Sequence, residues 1–333
     1  MPQKREHEDE VLSAVRQFAR SVNVSRKVVA DMSLLVDVTS RLSLKNLDVW
    51  ERIIRWEFLN SLEVSKSPKW KVWAQPTPFL TWIDLCSGDG FKREKTLRSL
   101  SGAAPNSFFF AIAVRRLNDW VPQVREAARD KLLEIAKNSD PENVVDVLCA
   151  TLPHWNSWGR MDDKDKQILL DITSIENVVL TLKSRFISST SGPMSSILAQ
   201  AGRTDKLDRY LNEIAKNAIQ PSVRAKTYRC LLERKMTWFA GRKWTWTDKQ
   251  YCKGRLEPIL CERNLSVESP FIETLNLAAR DRSPMVRRVA GEMLIRELKS
   301  IGAESIKIAE LLASDPSSTV AERGRFVLDR LGK

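Results

Sequence analysis

The chain has 333 residues, of which 43% are hydrophobic and 29% charged, and its formal net charge is +12. That composition belongs to a folded protein with a sizeable core and excludes a disordered or fibrous chain. No run approaches the ~18 consecutive apolar residues of a membrane span and MPQKREHEDE lacks the apolar core of a secretory signal, so no membrane partner and a cytoplasmic location are expected.

Five cysteines without any C-x-x-C pair fit reduced thiols, and two histidines, His7 and His154, are too few for a zinc site. No metal and no cofactor are expected. The basic excess is spread along the chain rather than gathered in one tract.

Residues 1–62 read as an irregular helical cap. Val11, Val15, Phe18 and Val22 share one helical face, as do Leu47, Trp50, Ile54 and Phe58. Residues 63–77 lack periodicity and read as a linker, within which KWKVW (69–73) interleaves basic and aromatic side chains.

From residue 78 to 235 the chain reads as helical hairpins. PFLTWIDLCSGDGFKREKTLRSL (78–100) is a first, divergent one with its turn at SGDG. Pro122, Pro221 and Pro284 then begin the same frame. Each is followed at +2 by valine (Val124, Val223, Val286) and at +3 by arginine (Arg125, Arg224, Arg287). A small residue or threonine stands at +6 (Ala128, Thr227, Ala290) and leucine at +10 (Leu132, Leu231, Leu294). A fourth copy keeps Val320, Gly324 and Leu328 behind Ser318. Asp119, Asp281 and Asp315 lie three residues before the frame starts, and Ala218 takes that place in the second copy.

Proline is tolerated in a first helical turn, where its missing N–H has no partner to lose, so each frame predicts the start of a second helix. The +2, +6 and +10 residues form one stripe, and a small +6 residue lets a neighbouring helix approach. The amphipathic segments FFFAIAVRRL, DKLDRYLNEIA, FIETLNLAA and IKIAELLA supply the first helices.

The Pro122 to Pro221 interval is about three times that from Pro284 to Ser318, so two degenerate hairpins belong between them. PENVVDVLCATL with DKDKQILLDI is one, Asp140 capping and Pro141 opening its first helix. IENVVLTLKSRFI with GPMSSILAQAG is the other, opened at Pro193.

The Pro221 to Pro284 interval carries about 29 extra residues. They fall in an insertion, 236–268, where TWF (237–239) and KWTWT (243–247) alternate like strands and Gly241 suits a turn, predicting a short β-hairpin. Residues 269–333 return to the repeat.

The runs Asp119-Trp120-Val121-Pro122-Gln123-Val124-Arg125 and Asp281-Arg282-Ser283-Pro284-Met285-Val286-Arg287 resemble the HEAT-repeat signature. The resemblance implies an all-α fold: a right-handed α-solenoid of about six or seven HEAT-like hairpins behind the cap, interrupted by the hairpin-like insertion. In that family the turn aspartate and the arginine six residues on link neighbouring repeats. It therefore implies a structural ladder of Asp119, Arg125, Arg224, Asp281 and Arg287.

Phosphate-loop, nucleophile-elbow, zincin and dinucleotide motifs are absent. GDG (88–90) reads as a turn, and PHWNSW (153–158) with His154 as aromatic packing. Some glycosylases for alkylated DNA bases are built on HEAT-like repeats, a likeness of fold that would gather Trp155, Trp158, Asp162 and Asp163.

The leading expectation is a non-enzymatic scaffold that binds a protein partner on a curved surface. The alternative is nucleic-acid binding, with base excision as a subset. For either partner the contact residues are Arg242, Lys243, Trp244, Trp246, Lys249, Lys253 and Arg255, set against a reading in which the tryptophans only cover neighbouring helices.

Overall fold

The computed structural model describes residues 6–24, 31–64, 80–298 and 304–332, so KWKVW and nearly all of the expected linker lie outside the described residues. The described chain is mostly helical, with one two-stranded sheet. It packs as two compact units, Met1–Val178 and Val179–Lys333, divided inside the stretch that reads as one block of repeats in the sequence.

The amino-terminal unit opens with α1 (Glu8–Val24), α2 (Ser33–Ser40) and α3 (Leu47–Val64). Val11, Val15 and Phe18 of α1 are buried, as are Trp50, Ile54 and Phe58 of α3, with the Phe18 and Phe58 rings stacked 5.8 Å apart. Val22 and Leu47 end these stripes half-buried.

The divergent hairpin follows. Its first arm is only a 3₁₀ turn, Trp82–Cys86, fastened by a capping box between Thr81 and Asp84, and its second is α4 (Gly90–Ser99). Next come α5 (Ser107–Arg115) with α6 (Pro122–Asn138), and α7 (Pro141–Thr151) with α8 (Asp163–Thr173). The second arms α4, α6 and α8 pack in succession, and α5 packs on α7, giving two helical layers.

The carboxy-terminal unit repeats this plan. It takes in α9 (Glu176–Ser188) from Val179 onward, then α10 (Met194–Ala201), α11 (Leu211–Asn217) and α12 (Pro221–Glu233). After the sheet come α13 (Phe271–Ala279), α14 (Pro284–Arg296), α15 (Glu304–Ala313) and α16 (Ser318–Arg330). Here α10, α12, α14 and α16 pack in succession, and α13 packs on α15.

Pro122, Pro221 and Pro284 are each the first residue of a second helix, at α6, α12 and α14. Their +2, +6 and +10 residues are all buried. In α16, Val320 and Gly324 are buried but Leu328 is half-buried. Gly324 explains the small +6 position: a Cβ there would stand 2.2 Å from the Ala313 backbone nitrogen, so α15 and α16 touch backbone to backbone. Asp140 caps α7 through Glu142 N–H, as its place before Pro141 predicts. Pro193 differs, standing as the cap residue before α10 rather than its first turn.

The frame arginines serve both neighbours. Arg125, Arg224 and Arg287 each donate Nη1 to the carbonyl oxygen six residues back, on Asp119, Ala218 and Asp281, at 2.8 Å. Arg224 then forks onto Asp281, and Arg287 onto Asp315. Arg93 does the same from α4, donating to Ser87 O and forking onto Asp119 at 2.9 and 2.6 Å. It is a ladder residue that the sequence pattern misses because Gly90 stands where the proline should be.

Among the described residues Arg125 meets no such onward acid, and its Nε is buried without a partner. The equivalent turn position, three residues before α8, is Arg160.

Candidate functional site

The insertion leaves the helices as a ribbon of two long strands. β1 (Lys235–Asp248) pairs antiparallel with β2 (Lys253–Asn264), from Lys235 opposite Asn264 to Asp248 opposite Lys253. This corrects the shorter hairpin expected from TWF and KWTWT, with its turn at Gly241. TWF and KWTWT belong to one strand, and Gly241, with φ of 151°, sits at a register shift rather than at the turn. The turn is Lys249 to Cys252, where Cys252 takes a positive φ. The threonines and tryptophans carry strand propensity to either side of the glycine, so the chain crosses it with a bulge instead of reversing.

The base of the ribbon is anchored from several sides. Met236 is fully buried, its Sδ 3.7 Å from the Cys230 thiol of α12. Arg263 forks onto the fully buried Asp208 and donates to the Gly202 carbonyl. Lys226 Nζ bonds Thr237 O and Oγ1 at 2.6 and 2.7 Å, and Gln200 Nε2 bonds Phe239 O at 2.7 Å. Leu265 N–H closes the mouth onto Arg234 O. Trp238, with the Arg203 guanidinium over its ring, belongs to this base.

Beyond Phe239 the ribbon is exposed. The pairing places Phe239 opposite Leu260, Arg242 opposite Pro258, Trp244 opposite Leu256 and Trp246 opposite Gly254. Successive strand residues alternate faces, so these lie on one face and Lys243, Thr245, Arg255 and Glu257 on the other. On the first face Trp244 and Trp246 are each 49% exposed, Leu256 56% and Leu260 69%. The two indoles meet edge to face with centroids 5.5 Å apart, and Trp244 lies against Gly254, where any side chain would displace it.

The seven contact residues expected from the sequence are therefore distributed rather than gathered. Arg242, Trp244 and Trp246 share the apolar face. Lys249 and Lys253 are at the tip, the Lys253 ammonium 5.7 Å from the centre of the Tyr251 ring. Lys243 and Arg255 are on the reverse face, where Arg255 pairs with Glu257 and Thr245 also donates to that carboxylate. Both bonds hold the Glu257 carboxyl below its ordinary value, that from Arg255 the more. The reading of the tryptophans as a cover applies to Trp238 alone of the three. The aliphatic partners Leu256 and Leu260 escape sequence reasoning, because only pairing with β1 identifies their face.

Of the other sequence candidates, Trp155 and Asp162 are placed as structure, while Trp158 is half-buried and Asp163 exposed. Trp155 is fully buried, and Asp162 caps α8 by accepting from Asp165 N–H, a bond that keeps its carboxyl low. The Cys86 thiol is buried and pushed far above its ordinary value by desolvation, which suppresses the thiolate. Among the described residues no group of three potential metal ligands converges, and no helix is long and apolar enough to cross a membrane.

No protein-family model matches the chain, and a search of curated proteins finds no relative.

Proposed function

We infer that the protein is a non-enzymatic scaffold, an α-solenoid of HEAT-like hairpins, whose β-ribbon docks a protein partner. The observation that carries this reading is the exposed row of Trp244, Trp246, Leu256 and Leu260 on a ribbon whose base is anchored. Contiguous exposed apolar surface mainly serves protein contact, and tryptophan is enriched among residues that dominate binding energy. Arg242, Lys249 and Lys253 edge that row, so the fitting partner surface is apolar at its centre and acidic at its rim.

The test compares wild-type bait with Trp244→Ala/Leu256→Ala/Leu260→Ala bait in extracts treated with nuclease. A partner recovered by the first, absent from the second and binding the purified wild-type protein directly supports the reading. Recovery that is equal with both baits overturns it.

The alternative occupant is nucleic acid, which the basic tip favours. Loss of all capture on nuclease treatment, with affinity falling steeply as salt rises, would select it.

A further inference from the structure

A second site lies in the amino-terminal unit. A cavity of about 390 Å³ opens beside the turn that follows α5, and five arginines line it against two carboxylates, Glu51 and Asp119. Both carboxylates are fully engaged. Asp119 receives the Arg93 fork, Arg116 Nη1 at 3.1 Å and the Val121 N–H at 3.0 Å. Glu51 receives Arg116 Nη2 at 2.6 Å and Arg115 Nε at 3.2 Å. Burial pushes the Asp119 carboxyl up, but the bonds from Arg93 and Val121 and the charges of Arg116 and Arg93 outweigh it and hold the group below its ordinary value.

These two acids account for Arg93, Arg115 and Arg116. Arg55 and Arg160 line the same cavity with no carboxylate partner among the described residues. The wall therefore keeps an uncompensated positive charge. Arg160 is also the residue that replaces the ladder aspartate in its hairpin, so one frame position has changed sign at the cavity rim.

Arg160 is not merely solvated. Its guanidinium carbon lies 3.3 Å from the centre of the Trp120 ring, while that indole remains 77% exposed. The cavity mouth thus carries a flat aromatic surface fixed by a cation, next to planar donors suited to phosphate oxygens. A volume near the lower end of small-ligand pockets accommodates one nucleotide rather than a folded peptide.

We propose that this cavity binds a nucleoside monophosphate, its phosphate held by Arg55, Arg160 and the outer edge of Arg115, and its base laid on Trp120. The phosphate meets the unpaired guanidinium charge, and the base extends an existing Arg160–Trp120 stack. A phosphopeptide would use the same arginines and leave the indole idle. A polynucleotide would run past the cavity instead of filling it.

The test is isothermal titration of the intact protein with AMP, adenosine, inorganic phosphate, a phosphoserine peptide and a single-stranded oligonucleotide. AMP is expected to bind once per chain and more tightly than phosphate or adenosine. Arg55→Ala and Arg160→Ala should each weaken AMP by about ten-fold or more, the scale of one lost charge-assisted bond. Trp120→Ala should bring AMP down to the affinity of phosphate without changing phosphate itself. If an alanine variant melts early, Arg55→Gln and Arg160→Gln repeat the measurement with most of the side chain retained.

Absence of AMP binding, or AMP binding unchanged in both arginine variants, overturns the proposal. So does a phosphopeptide that binds more tightly than AMP, or an oligonucleotide that AMP fails to displace.

Discussion

Arg224 holds Asp281 through paired bonds of 2.8 and 2.9 Å across 57 residues of chain, whereas Arg287 makes the same fork onto Asp315 across 28. The difference is the β-ribbon and its connections. The link between α12 and the turn before α14 is thus kept while the chain leaves and returns. Arg224 is 1% exposed and Asp281 8%, so the pair is a buried tie between consecutive hairpins.

Removing one member of that tie leaves a buried charge without its partner. Asp281→Asn or Arg224→Ala should destabilise the protein by about 3–5 kcal/mol, read from urea unfolding. Arg224→Lys should recover little, since an ammonium cannot reproduce the fork. A double substitution that costs less than the sum of the singles would show the coupling directly.

The buried stripe sets a second expectation. Leu132→Ala and Leu294→Ala should each cost about 2–5 kcal/mol from lost burial and the cavity left behind. Leu328→Ala, at the half-buried equivalent in α16, should cost clearly less. Gly324→Ala should cost about 1–3 kcal/mol for the opposite reason, because a methyl group forces α15 and α16 apart. Thermal or urea melts of the four variants check the ranking.

Acid should loosen the ladder. The Arg287 fork, with the Ser317 N–H bond, holds the Asp315 carboxyl below its ordinary 3.8 despite burial, so the unfolded chain takes up the proton first. Stability from this pair is whole above the ordinary value and is lost as pH falls through the folded-state value. Asp119 behaves in the same sense. The urea midpoint should therefore fall on acidification, and Asp315→Asn should lower it at neutral pH while flattening that acid limb.

On the ribbon, stability and exposure should separate. Trp244→Ala and Trp246→Ala should change folding stability by less than about 1 kcal/mol, as for surface positions, and Arg242→Ala/Lys243→Ala/Lys249→Ala should leave the Tm nearly unchanged. Met236→Ala, at the buried base, should cost about 2–5 kcal/mol. A large loss of stability from either tryptophan would mean that the distal ribbon is packed rather than presented.

The sequence by itself determined the second helices, their proline starts and their buried stripes. Those features are local: a helix start and a +2, +6, +10 stripe are set by residues within a few turns of one another, and Pro122, Pro221 and Pro284 display them directly. The strand character of 237–247 was legible for the same reason. Tertiary structure decided what depends on distant partners. Leu256 and Leu260 join Trp244 on one face only because β2 pairs with β1 in a register shifted at Gly241. Arg93 enters the ladder only because its turn meets Asp119. The arginine cavity brings Arg55, Arg115, Trp120 and Arg160 together from separate helices and turns, and no periodicity connects them. Periodic patterns record which face a residue occupies, whereas a site depends on which faces meet, and packing of the whole chain sets that.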